Sequence, residues 1–518
     1  MKRYRMMFGL MMTIALVALH APRANANQCE RIKDIKIADT EIKLAAVIDA
    51  GAFVPPTQGS NGSQPRPYAR LPSFCRVAGV RHPTPDSNIG FEIWMPVSSW
   101  NGKLVGIGNG AWAGSVTYPA MIAPLSKGYA TVASDSGHQG SPLDASFAAG
   151  HPERLVDFGS RGIHEMTVAA KEIIEAFYGR KTERSLFASC STGGRQGLME
   201  ASRYPDDYDG ISSMAPANPT VPLMVGSLWT SSATAKSPES QISPAAFDLV
   251  HKAAMESCDA NDGVRDGIIS APDRCHFDPG SLQCKGVTNR LPSDSARCLT
   301  EPQVAALRAI YQGPHNPRTG ESIIPGFEPG SEALLSIQTS GSGPIPPVLS
   351  YFRDLVFKNP RWEFRTFDYD ENVSQALSLH SRQVDVAPAS VADYLKGGRK
   401  LLISHGWADP LVPPLASVHF YDALTTATGT SAGENARLYM VPGMGHCTGG
   451  DGPFLFDAIS TIDEWVATGR APDRIVVSNP PSAAARTRPI CPYPKEAVYA
   501  GTGSTDDEKN FRCEAVTH

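Results

Sequence analysis

The segment Ser185-Leu186-Phe187-Ala188-Ser189-Cys190-Ser191-Thr192-Gly193-Gly194-Arg195 passes from a short apolar run through small residues into a helix-like one. Ser185 to Ala188 is short and apolar enough for a buried strand, and Gly197-Leu198-Met199-Glu200-Ala201-Ser202-Arg203 reads as a helix. A serine at a sharp strand-to-helix turn has the geometry of a nucleophile elbow, where strain and close packing demand small neighbours. The usual pattern is G-x-S-x-G, and Ser189 stands where the first glycine is expected. Gly/Ser-rich turns also occur for purely structural reasons. The remaining chain therefore has to supply a base and an acid.

Working outward, Ile89-Gly90-Phe91-Glu92-Ile93-Trp94-Met95 alternates as a strand does, and Leu104-Val105-Gly106-Ile107 follows, ending in Gly108-Asn109-Gly110. Tyr129-Ala130-Thr131-Val132-Ala133-Ser134 is a third strand. Residues 163–178 carry Ile163, Val168, Ile173, Ile174 and Phe177 on one helix face. After the elbow, Gly210-Ile211-Ser212-Ser213-Met214-Ala215 is a further strand, stopped by Pro216. Strands alternating with helices at this spacing predict an α/β fold on a parallel, doubly wound sheet. Chemistry in such sheets lies at the carboxyl ends of the strands, which is where Ser191 falls.

The alternation stops over residues 218–387, a stretch with four cysteines, many prolines and glycines, and few periodic runs. It reads as an inserted lid domain. The alternation resumes at Lys400-Leu401-Leu402-Ile403-Ser404, a helix over 415–424, a strand at Arg437-Leu438-Tyr439-Met440-Val441, and a helix over 456–468. The catalytic domain is thus expected over 27–217 and 388–518. Residues 27–88 read as loop-rich, broken by Pro55, Pro56, Gly59, Gly62, Pro65 and Pro67.

The first 26 residues carry Lys2, Arg3 and Arg5, then an apolar run, then Ala24-Asn25-Ala26. That is the pattern of a secretory signal peptide cut after Ala26, and the run is short for a bilayer span. Removing its four basic residues (Lys2, Arg3, Arg5, Arg23) takes the formal charge from −5 to −9. A mildly acidic chain without a basic stripe is a poor nucleic-acid binder. No later stretch is apolar enough for a membrane. Ten cysteines in an exported chain argue for disulfides, and no CxxC pair suggests zinc. Local proximity favours Cys258–Cys275, Cys284–Cys298 and Cys491–Cys513. Cys29 and Cys75 flank one N-terminal segment, which leaves Cys190 and Cys447.

Two stretches offer partners for Ser191, each just after a strand. One is His405-Gly406-Trp407-Ala408-Asp409-Pro410, the other Pro442-Gly443-Met444-Gly445-His446-Cys447. The order serine, acid, histidine is that of α/β-hydrolases, giving Ser191, Asp409 and His446 as the triad, with His405 as a rival base. A disulfide holds two Cα atoms within roughly 4.4–6.8 Å, so bridging Cys190 to Cys447 would bring Ser191 and His446 together. The oxyanion donors are expected to be the N–H groups of Thr192 and of Gly110, with Ala111 as the neighbouring alternative.

These residues together resemble the tannase and feruloyl esterase family, whose hallmark is a catalytic serine and histidine each beside one of two bridged cysteines. Ser191-Thr192-Gly193-Gly194-Arg195, His405-Gly406-Trp407-Ala408-Asp409 and Gly443-Met444-Gly445-His446-Cys447 carry the resemblance, with Cys190. It implies an α/β-hydrolase core, a specificity lid holding a structural Ca2+, no organic cofactor, and esters of hydroxylated aromatic acids such as gallate and ferulate as substrates. Relatives also cleave terephthalate monoesters. By the resemblance, the ion is held by the side chains of Asp259, Asp262 and Asp266 and the carbonyls of Val264 and Ile268. Three close carboxylates on one Gly-bearing loop repel unless a hard cation joins them. Aromatic and basic groups at Tyr351-Phe352-Arg353, Lys358, Arg361 and Trp362 are candidates for an acyl pocket. The expected protein is a secreted or periplasmic serine ester hydrolase. It would act on a small aromatic ester, free or attached to a plant polymer. The competing reading from another class is a secreted polyphenol- or carbohydrate-binding module with an inactive triad.

Overall fold

The computed structural model describes residues 27–56, 67–285, 297–339 and 343–516. The expected signal segment lies outside these residues. Nine strands form the main sheet: β1 (Thr40–Ile48), β2 (Phe74–Arg81), β3 (Ile89–Pro96), β4 (Lys103–Ile107), β5 (Ala130–Ser134), β6 (Arg184–Cys190), β7 (Gly210–Met214), β8 (Lys400–Gly406) and β9 (Ala436–Val441). Their spatial order is β1-β2-β3-β5-β4-β6-β7-β8-β9. From β5 to β9 every pairing is parallel, whereas β1, β2 and β3 pair antiparallel and β3 lies antiparallel to β5. This is the α/β-hydrolase arrangement, with β6 near the middle of the sheet.

The structure corrects two expectations here. The sheet is mixed rather than wholly parallel. The loop-rich reading of 27–88 conceals β1 and β2, because the prolines and glycines cluster between the two strands. β1 is an edge strand with mostly half-exposed residues, so its alternation is weak, while β2 is buried on both faces and does not alternate.

Period-two alternation sorts the parallel strands into two cores. Leu104, Phe187, Leu401 and Ile403 face one cluster with the helix α1 (Gly162–Tyr178); Val105, Leu186 and Leu402 face the other, with Trp465. In α1, Ile173 and Ile174 are fully buried and Phe177 nearly so. Each such side chain contributes about 1.5–3 kcal/mol by leaving water. The helix ends at Gly179, whose φ of 69° is the left-handed C-cap conformation.

Between β7 and β8 the described residues contain no strand of the main sheet. Helices α2 (Thr192–Arg203), α3 (Thr220–Thr234), α4 (Pro244–Cys258), α5 (Glu301–Gln312), α6 (Glu332–Thr339) and α7 (Glu371–Val384) occupy residues 192–384, all but α2 lying in the insertion. The few periodic runs of the insertion therefore understate its helix content. In α3 buried residues surround nearly the whole helix, which removes the periodic signal. Beyond the sheet, the tail forms two antiparallel ribbons, Ile475–Ser478 with Thr487–Ile490 and Lys495–Tyr499 with Phe511–Ala515. No helix among the described residues is long and apolar enough to cross a membrane.

Candidate active site

Ser191 sits between β6 and α2 with φ 64° and ψ −127°, a conformation costing on the order of 1–3 kcal/mol for a residue with a Cβ. The turn persists because its surroundings hold it. Ser191 N–H donates to Met214 O at 3.0 Å, and Ser191 O accepts from the N–H groups of Arg195 and Ala217 at 3.0 and 3.1 Å. A Cβ on Gly194 would stand 2.5 Å from Met214 O, so the first helical turn has to be glycine there to pack on β7.

The other two side chains come from the neighbouring strand ends. Asp409 follows β8 and His446 follows β9. Ser191 Oγ donates to His446 Nε2 at 2.9 Å, and His446 Nδ1 donates to Asp409 Oδ2 at 2.7 Å. Asp409 is fully buried, and its other oxygen accepts the N–H groups of Leu411 and Val412 at 2.8 and 3.0 Å. Burial alone would push the Asp409 carboxyl up, but the imidazoles of His446 and His405 hold it well below the usual carboxylate range. Burial likewise disfavours a charged His446, yet the adjacent Asp409 raises its pKa above the ordinary histidine value. The arrangement can take the proton of Ser191 and stabilise the imidazolium that results.

His405, the rival base, does not reach Ser191. It is fully buried, with Nε2 3.1 Å from Asp409 Oδ2 and from Val412 O, and Nδ1 2.7 Å from Ser417 Oγ. Cys190 and Cys447 are bridged with Cα atoms 6.1 Å apart, which ties the serine strand end to the histidine loop. The remaining cysteines pair Cys29–Cys75, Cys258–Cys275, Cys284–Cys298 and Cys491–Cys513.

Ser191 and His446 open on a cavity of about 650 Å³, counted to its mouth, whose walls are mainly apolar: Ala111, Trp112, Phe158, Leu223, Met224, Ile345, Pro347, Val348, Leu411 and Val412. Thr220 and Ser227 supply hydroxyls. Arg195 also lines it, but burial pushes its pKa down to about 10 and its guanidinium donates to Gly159 O and Phe158 O at 2.8 and 3.3 Å.

For the oxyanion donors, Thr192 N–H lies in the first turn of α2, where helix amides have no intrahelical partner. On the β4 loop it is Ala111, at φ 45°, that lines the cavity; Gly110 does not. Asn109 aims this turn. Its N–H donates to Gln196 Oε1 at 2.9 Å, its carbonyl accepts Gly193 N–H at 2.8 Å, and Thr192 Oγ1 donates to Ala111 O at 2.9 Å. Tyr351, Phe352 and Trp362 are not in the cavity wall. They pack in an aromatic core of the insertion, with Tyr351 stacked on Trp112 at 5.7 Å and Phe352 5.7 Å from Trp362. The cavity residues of α3 carry no motif, and only the tertiary fold brings them to the serine.

In the acidic loop, Asp259 Oδ1 accepts the N–H groups of Asp266, Gly267 and Ile268 at 3.1, 3.1 and 3.3 Å, and Asp262 Oδ1 accepts Val264 N–H at 2.9 Å. Asp266 Oδ2 pairs with Arg488, while its Oδ1 is buried without a hydrogen-bond partner. Among the described residues no three His, Cys, Asp or Glu side chains converge as a metal-holding group. The donor set is nevertheless all hard oxygen and includes one orphaned buried carboxylate oxygen, which suits Ca2+.

Residues 75–514 match the family model described as "Tannase and feruloyl esterase". An uncharacterized esterase of Xanthomonas campestris is 34% identical, covering 97% of this chain and 94% of its own. A probable feruloyl esterase B-2 of Neosartorya fischeri is 30% identical over 85% of this chain and 86% of its own. The crystal structure of feruloyl esterase B from Aspergillus oryzae superposes with a TM-score of 0.87 at 27% identity, covering 95% of this chain and all of that one.

Proposed function

Because the chain belongs to the tannase and feruloyl esterase family and is a carboxylic ester hydrolase, we propose that it cleaves esters of hydroxylated aromatic acids through an acyl-enzyme on Ser191. The observation that carries the reading is the hydrogen-bonded chain Ser191–His446–Asp409 opening on an apolar cavity. Trp112 and Phe158 in the cavity wall suit an aromatic acyl group, and two of the relatives are named feruloyl esterases.

His446 Nε2 takes the Ser191 proton as Oγ attacks the ester carbonyl carbon. Thr192 N–H and an N–H of the β4 loop hold the oxygen that becomes negative; of Gly110 and Ala111, the latter lines the cavity. The intermediate collapses, the C–O bond to the alcohol breaks, and the imidazolium of His446 protonates the departing alkoxide. A water then gives its proton to His446 and its hydroxide to the acyl carbon, releasing the carboxylic acid and restoring Ser191. Asp409 stays ionised throughout.

The helical insertion serves as the specificity lid in this reading, since its α3 and Ile345 to Val348 segment supply one wall. Ca2+ held by Asp259, Asp262 and Asp266 with the carbonyls of Val264 and Ile268 would neutralise the loop and brace it, taking no part in the chemistry. Five disulfides and the basic-then-apolar N-terminus support export to the periplasm or beyond. Three measurements test the proposal and its ion. Turnover of methyl ferulate, methyl gallate and a terephthalate monoester by the wild type identifies the acyl group, and failure on all three refutes the substrate class. Ser191→Ala abolishes turnover with the fold retained; hydrolysis at the wild-type rate by that variant refutes the mechanism. Chelation by EDTA lowers the thermal midpoint, added Ca2+ restores it, and kcat at 25 °C is unchanged; a midpoint that EDTA leaves unaltered refutes the ion.

A further inference from the structure

Asp409 carries two imidazoles, and the ester hydrolysis mechanism uses only one. Its Oδ2 lies 2.7 Å from His446 Nδ1 and 3.1 Å from His405 Nε2. His405 Nε2 also lies 3.1 Å from Val412 O, so this nitrogen faces two acceptors and must carry a hydrogen. Its Nδ1 meets the Ser417 hydroxyl at 2.7 Å, which fixes the ring from the side of the helix Pro414–Thr428. Both His405 and Asp409 are fully buried. With Leu411 and Val412 N–H on Oδ1, the carboxylate faces four donors.

We propose that His405 is a positioning residue of the hydrolytic reaction, donating through Nε2 to Asp409 so that the carboxylate is fixed for His446 and its charge is shared between two imidazoles. The inference rests on the reading of Ser191, Asp409 and His446 as the triad. The ionisable groups facing Asp409 are His405 from β8 and His446 from the loop after β9; the other contacts are backbone amides, and Ser417 backs His405. Removing the His405 donor leaves Oδ2 to His446 alone. The buried carboxylate then draws more strongly on His446 and stabilises its protonated form. Two effects follow: the general base holds its proton to higher pH, and Asp409 is free to rotate away from the line that keeps His446 with its proton on Nδ1.

His405→Asn removes the Nε2 donor, and His405→Gln places an amide N–H near the same point. Hydrogen-bond partners that orient metal-bound histidines contribute about 10- to 100-fold to activity, and the same range is expected of His405. The expected result for His405→Asn is a fall of that size in kcat, KM within about threefold of wild type, and an acid limb of kcat/KM displaced to higher pH; His405→Gln recovers part of both. Ser417→Ala, which leaves His405 in place but frees its ring, gives a smaller displacement in the same direction and serves if His405→Asn does not fold. An unshifted acid limb in folded His405→Asn, or in Ser417→Ala where that variant alone folds, overturns the inference, whatever happens to the thermal midpoint. Ser191→Ala separates the two readings. If it is inactive while His405→Asn behaves as wild type, only the role of His405 fails; if it is active, the triad itself fails.

Discussion

Replacing Asp409 with Asn tests the electrostatics of the site at constant shape. The outcome follows from which amide atom can occupy which position. Leu411 and Val412 N–H point at Oδ1 from 2.8 and 3.0 Å, so the Asn oxygen must take that place. The NH2 group is thereby forced to where Oδ2 was, 2.7 Å from His446 Nδ1. Two donors cannot share that contact, so His446 shifts its proton to Nε2. A Nε2–H imidazole cannot accept the Ser191 proton. The same carboxylate-to-amide change in a serine triad typically lowers kcat by about 10⁴, which at ~1.36 kcal/mol per decade is ~5.4 kcal/mol of transition-state stabilisation. The assay is chromatographic release of the acid from whichever ester of the panel the wild type cleaves, at pH 7, with circular dichroism to establish folding. KM should change little, because Asp409 does not line the cavity. A folded Asp409→Asn enzyme with kcat within about tenfold of wild type refutes the tautomer argument.

Three further outcomes are expected. Since Asp409 raises the His446 pKa, kcat/KM falls as pH drops through a limb lying above the ordinary histidine value of about 6.5; a limb at or below that value contradicts the pairing. Reduction of Cys190–Cys447, or the double change to Ser, lowers kcat before the fold is lost, because the bridge aligns Ser191 with His446; activity and thermal midpoint falling strictly together would count against this. His251 lies on α4 between Glu332 and Asp451, at 3.2 and 3.1 Å; burial opposes its charge, but the two carboxylates raise its pKa to about 10. A raised folded pKa stabilises most below the unfolded value of about 6.5 and is lost as pH climbs to about 10, so the wild-type thermal midpoint should fall more steeply over that range than that of His251→Gln.

What the sequence reveals here is local chemistry anchored to strand ends. Ser191, Asp409 and His446 each fall within a few residues after an apolar strand, so the sheet brings them near one another, and the cysteines beside two of them point the same way. Contacts decided across the fold were not legible. Spacing does not say which of Gly110 and Ala111 faces the cavity, because the aim of that turn depends on Asn109 being caught by Gln196 and Gly193 of α2. His405 looked like a competing base because spacing shows a histidine near a strand end, not which way its ring faces. The cavity wall from α3 left no trace, since a helix buried nearly all round has no polar face to give it a period. β1 and β2 are hidden for another reason: breakers between them outweigh one weakly alternating strand and one that does not alternate.

The distance along the chain between the two reacting groups also has a bearing on biosynthesis. His446 lies 255 residues after the serine it deprotonates. At roughly 5–20 residues per second, about 13–50 s separate the emergence of the nucleophile from that of its base. During that interval the strained serine turn has neither the β9 loop nor the Cys447 sulfur against it. Hydrolytic capacity thus cannot precede the emergence of the loop after β9, and a chain truncated anywhere before β9 is inert.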